Sequence, residues 1–199
     1  MVEVDTDATL IDHLKYAISE TVAEFQANPV DFLYESDIQS LLFTKLRHEM
    51  REVRYESKAK DVDLLYKSEH SINPVKTEYR LNASGLTGKF DVAILSKKHD
   101  PAFRIWHQFC RIGIELKLWQ SDGTGLSRFE DFERLQSYRQ VCHKKDDHFT
   151  GIAMIFVHPG AEKWVKDVSG VESDASFPND GVVFQIVESS IPRWYEIQR

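Results

Sequence analysis

Two apolar stretches carry charged residues at positions where chemistry is the economical explanation. In the segment KFDVAIL at 89–95, Phe90, Val92 and Ile94 fall on one face of a strand and Asp91 on the other. In CRIGIELKLW at 110–119, Ile112, Ile114, Leu116 and Leu118 alternate with Gly113, Glu115 and Lys117. If these strands pair, one carboxylate from each meets an ammonium on a common patch. Two carboxylates a few ångströms apart repel unless a proton or a cation lies between them. With oxygen donors alone the expected cation is Mg²⁺ or Mn²⁺, completed by water and phosphate. A lysine beside such an ion holds or deprotonates an attacking water and offsets developing negative charge.

Context, not the triplet itself, makes this pattern informative. With 32 acidic residues in 199, chance supplies roughly two acid-x-lysine triplets. The chain has Glu56-Ser57-Lys58 and Glu115-Leu116-Lys117, and only the second lies inside an apolar strand that follows a strand bearing an acid. The plain alternative is an exposed sheet face with a Glu–Lys pair.

Two further positions bear on the choice. On a helical wheel Glu35 falls between Leu42 and Leu46, on the inward side of a helix, where an acid needs a partner, a cation or a shifted pKa. Ser36 and Gln39 also have capping-box spacing, which would leave Glu35 solvated outside the helix. In a later helix Gln136 projects between Phe129 and Phe132, and Arg139 between Phe132 and Leu135. Polar groups on that stripe suit a helix beside a polar cleft; the alternative is that both snorkel to water from its edge. Gly123 and Gly125 before that helix read as a turn, the eight histidines have no ligand spacing, and no Gly-x-Ser-x-Gly elbow occurs. Lys97, Lys98, Lys144 and Lys145 are either a rim for a phosphate backbone or scattered surface charge. The four tryptophans read as packing residues.

The elements that must position these groups follow from periodicity. Leu10, Leu14, Ala17, Ile18, Val22 and Phe25 predict a helix over residues 7–27, closed by Asn28-Pro29. Ile38, Leu41, Leu42 and Leu46 predict a second over about 34–54. Residues 56–73 are polar, with room for a short helix near Leu64-Leu65 or a loop. Val75, Thr77, Tyr79 and Leu81 alternate as a strand, and residues 82–88 are turn chemistry. After the strands at 89–95 and 110–119, Ser127 with Glu130 predicts a capped helix to about His143. TGIAMIFV at 150–157 is apolar enough for a strand buried on both faces. A short helix over 161–167 and a last strand at 182–187 complete the order. The expected fold class is α/β, a mixed central sheet flanked by helices. The expected organisation is a single domain over 1–199: an N-terminal helix over 1–28, a core over about 34–157, and a C-terminal extension over 158–199.

Composition narrows the classes. The net charge is −7, so bulk positive charge does not bind nucleic acid here, although a metal can neutralise local carboxylates. Two cysteines, Cys110 and Cys142, form neither a disulfide framework nor a zinc cluster. The acidic start MVEVDTD contains no readable signal peptide and no apolar run is long enough to span a bilayer, so the expected setting is cytoplasmic with no membrane partner.

The series Glu35, Asp91 in KFDVAIL and Glu115-Leu116-Lys117 in IGIELKLW resembles the PD-(D/E)XK, or restriction-endonuclease-like, nuclease superfamily. The order helix, three strands, helix, strand resembles its αβββαβ core, from about Tyr34 to Val157. The resemblance implies that Asp91, Glu115 and the Leu116 carbonyl ligate Mg²⁺ (or Mn²⁺), that Lys117 positions or activates water, and that Glu35 binds metal or its water. Gln136 is similar in placement to a glutamine of some branches, although Gln140 stands where the RecB-like branch has tyrosine, and Phe90 replaces the proline of the family name. The implied activity is a metal-dependent deoxyribonuclease, an endonuclease leaving 5′-phosphate ends on a DNA substrate. The amphipathic first helix is available for a homodimer contact or for packing on its own sheet. Two other classes stay open: a nuclease-fold DNA-binding or regulatory protein without turnover, and an unrelated α/β enzyme using the same carboxylates on a small phosphate or sugar.

Overall fold

The computed structural model describes residues 7–57, 70–81, 85–96, 108–119, 128–145, 147–159, 161, 171–172, 181–187 and 192–196. The expectations for Leu64-Leu65, the turn at 121–125, Ser127, Lys97, Lys98, Trp106, Trp164 and the helix over 161–167 lie outside these residues, as do the side chains of Phe129, Phe132 and Trp194. In chain order the elements are α1 (Asp7–Ala27), a 3₁₀ turn (Pro29–Asp31), α2 (Glu35–Glu49), β1 (Tyr55–Ser57), β2 (His70–Ile72), β3 (Val75–Arg80), β4 (Lys89–Leu95), β5 (Cys110–Trp119), α3 (Arg128–His143), β6 (Thr150–Val157), β7 (Val171–Glu172), β8 (Gly181–Val187) and β9 (Pro192–Glu196). The fold is mixed α/β. Among the described residues seven strands form one sheet in the order β3-β4-β5-β6-β8-β9-β7, and β1 pairs with β2 in a separate two-stranded ribbon. Strands β3, β4 and β5 are antiparallel, β5, β6 and β8 parallel, and β9 antiparallel to both β8 and β7. No helix among the described residues is long and apolar enough to cross a membrane.

Hydrophobic periodicity explains which helix covers which face. Leu14, Ile18 and Phe25 of α1 and Ile38, Leu42 and Leu46 of α2 are buried against Val92, Ile94, Ile112, Ile114 and Leu116. Leu135, Tyr138 and Cys142 of α3 are buried with Phe90, Ala93, Leu95 and Cys110 on the opposite face. Strand β5 therefore lies between two cores. Gly113 is the residue that permits this, because a Cβ there would lie 2.7 Å from Phe90 Cε2 and 2.9 Å from Phe149 Cζ. The rings of Phe90 and Phe149 stack at 5.8 Å over that glycine.

The second helix ends at Glu49, short of the expected 54. Met50 is fully buried, and its carbonyl accepts a hydrogen bond from Asn73 Nδ2 at 2.7 Å, a tertiary cap that stops the helix. Strands β1, β2, β7 and β9 were not expected; they are short, and their pairing is decided by partners distant in sequence.

The hairpin β3–β4 departs from simple alternation. Val75 and Tyr79 have the same parity, yet Val75 packs with α2 and Tyr79 with α3; Phe90 likewise joins the α3 side while Val92 and Ile94 join the α2 side. The register is continuous, Thr77 facing Val92 and Tyr79 facing Phe90, so no residue is inserted. The switch occurs at Glu78, whose φ of 51° is left-handed, and at the facing Asp91. That conformation costs about 1 kcal/mol or more for a residue with a Cβ. It turns two large rings into the α3-side core.

Candidate active site

The loop before α2 is anchored to the C-terminal end of β6, level with the end of β5. Phe25 packs on Phe32 at 5.5 Å and on Phe156 at 5.0 Å between ring centroids. His158 Nε2 lies 2.6 Å from the Phe32 carbonyl; a carbonyl only accepts, so Nε2 carries the proton. The Asp37 carboxylate then accepts hydrogen bonds from the Leu33 and Tyr34 backbone N–H groups, each at 2.9 Å. This cap uses Asp37, not the Ser36/Gln39 spacing, and it makes Glu35 the first residue of α2. The Glu35 side chain is 45% exposed, so it is not the inward acid of the helical wheel. It emerges from the first turn toward the end of β5.

There the sheet opens. Along β5 the pairs Ile112–Ile94, Gly113–Ala93 and Ile114–Val92 are in register with β4, and the pairing ends there, one residue short of Glu115 and of Asp91. Beyond that point carboxylates stand in for the departing strand. Leu116 N–H donates to Asp91 Oδ2 at 2.7 Å, and Leu118 N–H lies 3.4 Å from Glu35 Oε1. Both amides belong to even-numbered residues, whose main-chain groups face the β4 side, and alternation directs the Leu116 carbonyl to that same edge. Lys117 Nζ lies 3.4 Å from Glu35 Oε2. Glu35, Asp91, Leu116 and Lys117 are thus assembled around one opening.

Glu115 is held differently. It is 3% exposed on the α3 side of β5, and its Oε1 accepts a hydrogen bond of 2.6 Å from Arg134 Nη1. A buried carboxylate needs a cation of this kind. Around Asp91 the charges are matched further: Gln39 Nε2 donates to the Asp91 carbonyl at 2.7 Å and to Glu78 Oε1 at 2.9 Å, and Lys89 pairs with Glu78. Among the described residues no three His, Cys, Asp or Glu side chains converge as a preformed metal cage.

Comparisons with protein-family models, with curated proteins and with solved structures find no match to this chain. The chemistry of the site rests on its geometry.

Gln136 is not joined to this group. Two positions beyond Arg134, it is turned about 200° around α3. There it lines a hollow of about 370 Å³ with Arg139, Gln140, His143 and Lys144. Sequence reasoning missed Arg134 and Gln39. Gln39 stands one turn after Glu35 on the same face of α2, and Arg134 one turn before the buried Tyr138 on α3; both spacings were available as signals.

Proposed function

We propose that this chain is a metal-dependent nuclease that hydrolyses DNA phosphodiester bonds on a restriction-endonuclease-like core. The observation that carries this reading is the pairing of Asp91 with the Leu116 amide beside the pairing of Lys117 with Glu35. An acid of one strand, the lysine of the next and an acid of the preceding helix thereby serve one opening, with Glu115 next to that lysine's strand neighbour on the α3 side. The element order α2, β3, β4, β5, α3, β6 supports the αβββαβ reading.

The donor set fits a hard divalent cation. Asp91, Glu115, Glu35 and the Leu116 carbonyl offer oxygen only, the chemistry of Mg²⁺ or Mn²⁺. These residues would hold the ion, which supplies neutralisation of the phosphate and acidification of a bound water. Lys117 orients the attacking water through its ammonium donors and offsets charge on the five-coordinate phosphorus. Glu35 aims that ammonium. Water oxygen bonds to phosphorus as the bond to the 3′ oxygen breaks; the proton that the attacking water gives up goes to solvent, the leaving 3′ oxygen takes one from solvent, and the phosphate stays on the 5′ side.

The test is incubation of the protein and Lys117→Ala with supercoiled plasmid and single-stranded DNA in Mg²⁺, Mn²⁺ or EDTA. Cutting by the wild type alone, abolished by EDTA, is expected. Equal cutting by both proteins would remove Lys117 from the mechanism. A second reading, a nuclease-fold DNA-binding protein without turnover, is favoured by one observation: Glu115 already has a protein cation, Arg134, at 2.6 Å. DNA binding without a metal requirement and without cleavage would select it.

A further inference from the structure

We propose that Arg134 is the resident counter-ion of Glu115 and that a divalent cation must displace it to bind. This rests on the nuclease reading to the extent that Glu115 is there a metal ligand. The two partners are unequally free to move. Glu115 is 3% exposed on the middle of a strand enclosed by two cores, whereas the Arg134 side chain is 25% exposed on a helix. A long arginine side chain at a helix surface has an exit to water that the glutamate lacks.

The guanidinium has a shaped berth. Its Nη1 donates to Glu115 Oε1 at 2.6 Å and to the Lys89 carbonyl at 3.3 Å. Gly88, with φ of 109°, forms the wall: a Cβ there would lie 2.9 Å from Arg134 Nε and 3.2 Å from Cδ. That φ also disfavours any side chain. The strand turn and the helix thus bring the Arg134 guanidinium to the carboxylate that the nuclease reading assigns to metal. A guanidinium and a divalent ion on one carboxylate repel each other, so the two compete. The metal-free chain keeps Glu115 paired despite its burial, and the affinity for metal is lowered by the work of moving Arg134. In this scheme Arg134 is a positioning residue acting through Glu115.

The experiment is calorimetric titration of the full chain with MnCl₂ and with MgCl₂, without nucleic acid, for the wild type, Arg134→Gln, Arg134→Lys and Glu115→Gln. Glutamine removes the charge and keeps a polar side chain on that turn of α3. Arg134→Gln is expected to bind Mn²⁺ roughly tenfold or more tightly than the wild type, with Arg134→Lys close to the wild type. Glu115→Gln is expected to lose the binding. Melting temperature gives an independent readout where Arg134→Gln is poorly folded: it should fall without metal and rise on adding Mn²⁺ by more than the wild type does. Equal or weaker binding by Arg134→Gln, with binding by the wild type intact, would overturn the counter-ion role and leave the metal site standing. No binding by any of these proteins would overturn both.

Discussion

The Asp91 carboxylate takes the place of a neighbouring strand: its Oδ2 accepts the Leu116 backbone N–H at 2.7 Å at the point where β4 leaves β5. The residue that the proposed chemistry needs is therefore also part of the sheet's hydrogen bonding. Its two roles are separable by substitution. Asp91→Asn keeps an oxygen acceptor for the amide and removes the charge; Asp91→Ala removes both. Asparagine should melt within a few degrees of the wild type and fail to cut plasmid DNA. Alanine should in addition lose about 1 kcal/mol in urea titration. Full cleavage by the asparagine variant would take Asp91 out of the metal site.

Gly113 gives a prediction independent of function. A Cβ would approach Phe90 and Phe149 to under 3 Å, and both rings are fully buried. Gly113→Ala should cost about 1–3 kcal/mol through overpacking. Equilibrium urea unfolding measures it, and an unchanged midpoint would mean that the stacked rings yield freely.

The α3-side core also sets an alkaline limit. Cys110 N–H donates to the Tyr138 hydroxyl at 2.8 Å, and burial pushes both the Cys110 thiol and the Tyr138 phenol far up from their ordinary values of 9.0 and 10.0. Both folded values exceed the unfolded ones, so the neutral groups favour the fold fully below pH 9 and lose ground above it, as the unfolded chain ionises and the folded one does not. Each group should cost about 1.4 kcal/mol per pH unit beyond its ordinary value. Urea midpoints followed from about pH 8 to pH 11 should fall progressively, and less steeply between 9 and 10 in Cys110→Ala. Parallel declines in the two proteins would show that the thiol ionises in place.

The fold was legible wherever one element buried one regular stripe. The apolar spacings of α1 and the alternation of β5 predict their bounds, and the near-continuous apolar run of β6 predicts a strand covered on both faces, as observed. What failed were inferences carried along a regular period through an irregular point. Alternation puts Phe90 with Val92 and Ile94, but the left-handed backbone at Glu78 switches the face of both hairpin strands. The wheel puts Glu35 inward, but the Asp37 cap sets it on the first turn, where the helix stripe has not begun.

For the candidate site, sequence alone determined the residue types, their order, and that Glu115 and Lys117 lie two apart on an apolar strand. Those facts are local, because alternation follows from backbone geometry. Only tertiary structure decided which group each acid meets: Asp91 the Leu116 amide, Glu35 the Lys117 ammonium, and Glu115 the Arg134 guanidinium. The spacings of Gln39 and Arg134 were in the sequence, but their partners, Asp91 and Glu78 for one and Glu115 for the other, are set by the tertiary structure. The distances from Glu35 to Lys117 and from Glu115 to Arg134 depend on how a helix end and a helix face dock on opposite sides of one strand. Helix docking is set by the packing of two separate cores, and no periodicity within either segment encodes it.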